Sequence, residues 1–117
     1  MTYAATANAV INAGHQVKLV DVLQNGCIDL DSVKENYNKN IKACIIVNLY
    51  GQPCNNKNLT QFLKNKKIKI IEDCAQSHGA MDCLNCKNFL QNEKNSCCFK
   101  KIYYSKISEL SCYSFFP

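Results

Sequence analysis

The chain has 117 residues, 47% of them apolar and 20% charged, a composition for one small globular domain rather than a disordered segment. Its net charge of +5 comes from 14 lysines against 9 acids, with no arginine, the residue a nucleic-acid binder is expected to use for bidentate base and phosphate contacts, and the charge reads as a solvated Lys/Asn-rich surface rather than a nucleic-acid site. No apolar run reaches the roughly 18–20 residues of a membrane span, and MTYAATANAV at the N-terminus lacks the basic flank and apolar stretch of a secretory signal.

In chain order, the first predicted element is a helix over Ala5 to Ala13, stopped by Gly14. Three short apolar runs, rich in β-branched residues, then recur about every 25 residues and read as buried strands: VKLVDV (Val17 to Val22), ACIIVNLYG (Ala43 to Gly51) and IKIIED (Ile68 to Asp73). Between the first two, Ser32 and Glu35 have capping-box spacing, and Leu30, Val33 and Tyr37 share one helical face. After the loop QPCNN, Leu59, Phe62 and Leu63 form an i, i+3, i+4 stripe. This alternation predicts an α/β fold, a mainly parallel sheet with flanking helices. Ligands of such sheets bind beyond the carboxyl ends of the strands. That is where Asp73 falls, with Gln76 and His78 close behind it and Tyr50 at the end of the preceding run.

From Met81 to Tyr104 no period is visible, and the segment reads as a cysteine-rich surface insertion at about residues 81–104. A last apolar strand is predicted from Leu110 to Phe116. The chain then stops without a polar tail, as if cut short.

Five blocks, TYAATANAVINAG, IDLDS, VNLYGQP, IIEDCAQSHGA and CYSFFP, occur in an order that resembles the DegT/DnrJ/EryC1/StrS family. The resemblance covers nearly the whole chain outside Met81 to Tyr104. It implies part of the large domain of a type I (aspartate aminotransferase-like) transferase across residues 1–117, without the small C-terminal domain. It further implies pyridoxal 5'-phosphate as cofactor, a nucleotide-linked keto-sugar as substrate, glutamate as amino donor and a homodimeric parent; the cytoplasmic location is expected from the missing signal peptide instead. By position in the motifs, Asp73 meets the pyridine nitrogen, Gln76 the phenolic hydroxyl, Tyr3 the ring face and Ser114 the phosphate. The chemistry suits those roles. A carboxylate keeps the ring nitrogen protonated and so maintains the ring as an electron sink, an amide donates to a phenolate without adding charge, and an aromatic ring offers a flat surface.

Departures from the pattern are equally specific. The family's Schiff-base lysine lies two positions past the SFFP proline, beyond Pro117, so no lysine here takes that role and the chain alone is expected to be inactive. Asn48 stands where the family usually has histidine. The link between Ala80 and Ser105 is longer than usual.

Nine cysteines without a signal peptide read as reduced thiols. Cys83, Cys86, Cys97 and Cys98 have a spacing open to zinc, but adjacent thiols suit one tetrahedral ion poorly, and a divergent insertion is the plainer reading. Cys27, Cys44, Cys54, Cys74 and Cys112 are expected as small core residues. A non-catalytic remnant of the fold and a small zinc-binding or interaction module are the alternative readings.

Overall fold

A computed structural model describes residues 2–54, 56–83, 101–103 and 108–115. Its centre is a three-stranded parallel sheet in the order β1-β2-β5, formed by β1 (Ala43–Val47), β2 (Lys69–Asp73) and β5 (Leu110–Cys112). Val47 pairs with Asp73 and Asp73 with Cys112, so all three strands end at the same level. The parallel sheet with flanking helices is therefore as expected. Strand lengths differ from expectation: β1 stops at Val47 because Leu49–Gly51 turn away as one 3-10 turn, and β5 stops at Cys112.

The period of two in β2 separates its faces. Ile70 and Glu72 point to the buried side, while Ile71 and Asp73 are half-buried on the other. The buried side carries the core, in which Ile46 and Ile70 pack with Val33, Cys54, Leu59, Leu63 and Ile68. Leu59 and Leu63 come from α3 (Lys57–Asn65), the crossover between β1 and β2. Each leucine buried in this way contributes about 1.5–3 kcal/mol. Helix α3 begins where Asn56 Oδ1 accepts the backbone N–H of Asn58 and of Leu59, at 3.0 and 3.1 Å. Phe62, the middle residue of the predicted stripe, is only half-buried and meets the Tyr37 ring edge-on at 5.8 Å.

Helix α1 (Ala4–Asn12) matches its expected position, with Gly14 at φ +79° closing it through an N–H donated to the Ile11 carbonyl. Helix α2 (Leu30–Glu35) does not use the expected capping box. Asp29 is the cap, its Oδ1 accepting from Asp31 N at 3.1 Å. Ser32 is buried inside the helix instead, and its hydroxyl accepts from Asp21 N at 3.0 Å. A tertiary demand has claimed the side chain that local spacing assigned to the cap.

The predicted strand Val17 to Val22 is absent. The one pairing described there is an antiparallel bridge between Val22 and Ile28, and Val17, Leu19 and Val22 are exposed. A strand needs a ladder partner, and among the described residues β1 is paired on its β2 side only. Cys112 likewise departs from the core expectation. It is exposed, as β5 is paired on one side only among the described residues, whereas Cys54 and Cys74 are buried and Cys27 and Cys44 half-buried. Burial pushes the Cys44 thiol up to about 11; burial, then the neighbouring Cys27 thiol, pushes Cys54 up as well. Such thiols are inert packing groups.

The two ends of the cysteine-rich segment form an antiparallel pair, β3 (Met81–Cys83) with β4 (Lys101–Tyr103), Met81 opposite Tyr103. Cys86, Cys97 and Cys98 lie outside the described residues, and so does the question of zinc at that segment. Among the described residues no helix is long and apolar enough to cross a membrane.

Two outcomes follow for stability. In chemical denaturation Asp29→Ala is expected to cost about 1 kcal/mol while Glu35→Ala costs close to nothing; the reverse order would restore the capping box. Glu109 Oε2 accepts from Ile70 N at 2.7 Å, and this bond, with Lys69 3.7 Å from the carboxyl, holds Glu109 below the usual glutamate range. A depressed folded-state value means that the stabilisation is complete above the ordinary glutamate pKa, about 4.3, and is lost as pH falls through the folded value. Glu109→Gln should therefore flatten the acid side of a stability–pH curve, and an unchanged acid limb would show that the contact is energetically silent.

Candidate functional site

Asp73 is the last residue of the central strand, placed by the β-sheet period on the face opposite the main core. Its carboxylate is held from two directions. Thr6, on α1, donates its hydroxyl to Oδ2 at 2.7 Å, and the backbone N–H of Ala75 donates to Oδ1 at 3.2 Å. Thr6 is a residue the sequence reading missed; a hydroxyl in an otherwise Ala-rich helix was the available signal.

Gln76 lies in the turn just past β2. Its Oε1 accepts the backbone N–H of Tyr50 at 2.9 Å, which fixes the amide so that the NH2 end is the outward donor. Tyr50 is in the left-handed region (φ 55°, ψ 28°), and Gly51 follows at φ +73°. A tyrosine there costs of order 1–2 kcal/mol, and its conformation turns the N–H towards the Gln76 side chain. A Cβ on Gly51 would reach the Gln76 carbonyl at 3.6 Å, an ordinary contact, so backbone angle rather than space favours glycine there.

Tyr3 precedes α1 as its N-terminal flanking residue and is 80% exposed; the Tyr3 carbonyl accepts from Thr6 N at 3.1 Å. Ser114 is exposed two residues past β5. His78 is exposed and stands edge-on to Phe115 and Tyr113, with ring centroids 4.8 and 5.4 Å away. Sheet register thus brings Asp73, Gln76 and Ser114 to one end of the sheet, and the Thr6 bond brings α1 with Tyr3 to the same end.

Glu72, next to Asp73, is fully buried on the other face. Its Oε2 accepts from Ser108 at 2.5 Å, and Asn48 Nδ2 lies 3.5 Å from Oε1. Asn48 is equally buried. Its Oδ1 accepts from Cys54 N at 2.9 Å, and its amide also reaches Cys74 Sγ at 3.4 Å. Asn48 is thus a structural joint between the ends of β1 and β2.

The residues present suit a flat, anionic, nitrogen-containing ring such as pyridoxal phosphate. They supply a carboxylate with acceptor sites to spare, an outward amide donor, an uncovered aromatic face and a hydroxyl. Comparison with known proteins decides the family: the model of the DegT/DnrJ/EryC1/StrS aminotransferase family matches residues 1–117.

The chain belongs to that family.

Among its curated relatives is dTDP-3-amino-3,6-dideoxy-alpha-D-galactopyranose transaminase of Aneurinibacillus thermoaerophilus, 36% identical over 81 residues, which are 68% of this chain and 22% of the relative. GDP-perosamine synthase of Escherichia coli O157:H7 is 25% identical over 117 residues, 99% of this chain and 28% of that protein. The chain therefore spans about a quarter of the length of these family members. Among solved structures, NtdA from Bacillus subtilis, crystallised with bound cofactor PMP, superposes with a TM-score of 0.63 at 34% identity over 67% of this chain and 18% of NtdA. DesI, solved in the presence of its TDP-sugar product, gives 0.66 at 26% identity over 73% of this chain and 22% of DesI. The type I transferase fold is thus shared, and the family's cofactor is pyridoxal phosphate or its amine form.

Asn48→Ala removes the acceptor of a buried N–H and a donor close to a buried carboxyl, and is expected to cost about 2–4 kcal/mol in a urea melt. A loss near zero would mean that water or neighbouring groups replace the asparagine without penalty.

Proposed function

We propose that this chain carries the ring-gripping part of a pyridoxal-phosphate-dependent aminotransferase that acts on a nucleotide-linked keto-sugar, with glutamate as amino donor. One observation supports this most: Asp73 ends the central strand with its carboxylate held by Thr6 and Ala75 N, beside a Gln76 amide whose outward donor is fixed by Tyr50 N. A dTDP-sugar transaminase among the relatives supports a nucleotide-sugar substrate, and the same reading extends to an amino donor and a second subunit in a cytoplasmic homodimer.

In this reading Asp73 faces the ring nitrogen and keeps a proton there, Gln76 Nε2 donates to the phenolic oxygen, Tyr3 covers one ring face, and Ser114 donates to phosphate. The bound cofactor supplies an electron-withdrawing ring that stabilises charge at the substrate carbon when a proton is lost. Residues 1–117 form part of the large domain, with about 81–104 as an insertion whose ends close as the β3–β4 pair. The lysine for covalent attachment is not assigned to any position of this sequence.

Pyridoxamine phosphate is the suitable probe, because an aldehyde would react with any of the 14 lysines. The purified chain is expected to bind it, measured by equilibrium dialysis and ring fluorescence. Asp73→Ala should weaken binding at least about tenfold, the loss of one charged hydrogen bond. Equal affinity in the wild type and Asp73→Ala would remove Asp73 from the site.

A further inference from the structure

The strand fixes where the Asp73 Cβ points but not the plane of its carboxylate, since the terminal torsion of aspartate is broad and roughly two-fold. Two donors from unconnected places settle that plane: the Thr6 hydroxyl on Oδ2 at 2.7 Å and Ala75 N on Oδ1 at 3.2 Å. A carboxylate only accepts, so the single Thr6 proton is committed to Asp73. The Thr2 hydroxyl, 2.9 Å from that of Thr6, is then the donor in their contact, which gives a chain of hydroxyls ending on the carboxylate. Threonine suits the task because branching at Cβ restricts its χ1. Among the described residues these two donors take two of about four acceptor sites, and the proposal gives the others to a ligand.

We propose that Thr6 is a positioning residue: it holds the Asp73 carboxylate in the plane from which its remaining lone pairs meet the protonated ring nitrogen of the cofactor, with Thr2 supporting it. The inference rests on the cofactor reading above. It adds that the grip on the ring nitrogen is assembled from α1 as well as β2, because the bond spans 67 residues of sequence.

The test compares two rings, pyridoxamine phosphate and its deaza analogue, in which C–H replaces the ring nitrogen. The wild-type chain should prefer the nitrogen ring. Thr6→Val, which keeps shape and loses the hydroxyl, should bind pyridoxamine phosphate about tenfold more weakly while its affinity for the deaza ring stays the same. Thr6→Ser should restore the preference. If Thr6→Val does not fold, as read by circular dichroism, Thr6→Ala in this Ala-rich helix carries the same comparison. Equal weakening of both rings would make Thr6 merely structural and overturn the proposal, as would an undiminished preference in the variant. A wild-type chain that binds neither ring overturns the cofactor reading itself and the positioning role with it. A wild-type chain that binds both rings equally overturns the role of Thr6 while keeping the pocket.

Discussion

Adjacent residues of a β-strand cannot point the same way, and the end of β2 turns that constraint into a division of labour. Glu72 and Asp73 are neighbours with the same chemistry and opposite surroundings. Glu72 enters the core face, where Ser108 and the amide of Asn48 make its burial tolerable. Asp73 is turned to the α1 face and remains half-buried. A one-residue slip of register would exchange the two, placing the carboxylate that Thr6 holds under α3 and the one that Ser108 holds on the α1 face. The pairing of Val47 with Asp73, continued by the bond from Asn48 N to the Asp73 carbonyl, excludes that slip.

The same end of the sheet shows how a site is assembled from distant parts. Asn48 ties the loop after β1 to the end of β2, and the next turn of that loop delivers the Tyr50 N–H to Gln76. Packing of Leu59 and Leu63 under the sheet holds the loop's far end, because α3 begins only a few residues after Cys54. Strain at Tyr50 is sustained by this framework, in the manner of residues kept in sparsely populated backbone regions by well-packed surroundings.

Much of this was legible in the chain because several signals agreed. The β-branched runs at 43–47 and 69–73, the stripe of Leu59 and Leu63, and Gly14 after α1 each combine pattern with a suitable end residue, and each element lies where expected. Asp73 and Gln76 could be singled out because a strand end needs neither of them. The failures have a common cause, which is that local sequence does not know its partners. Val17 to Val22 has the composition of a strand and no described ladder to join. Ser32 has the spacing of a cap, yet Asp21 N uses its hydroxyl. Thr6 was unremarkable within TYAAT, because its role depends on a carboxylate 67 positions away.

The β3–β4 ribbon bears on how this chain can vary. Met81 opposite Tyr103 pins the two ends of the intervening stretch about 5 Å apart. Once a loop is clamped at its base, doubling its length adds only about 0.6 kcal/mol of closure entropy. Insertions and deletions between those strands are therefore nearly invisible to the parallel sheet, while a single-residue insertion within β2 would reverse Glu72 and Asp73. Length is free to drift at one place in this fold and forbidden to drift some ten residues earlier.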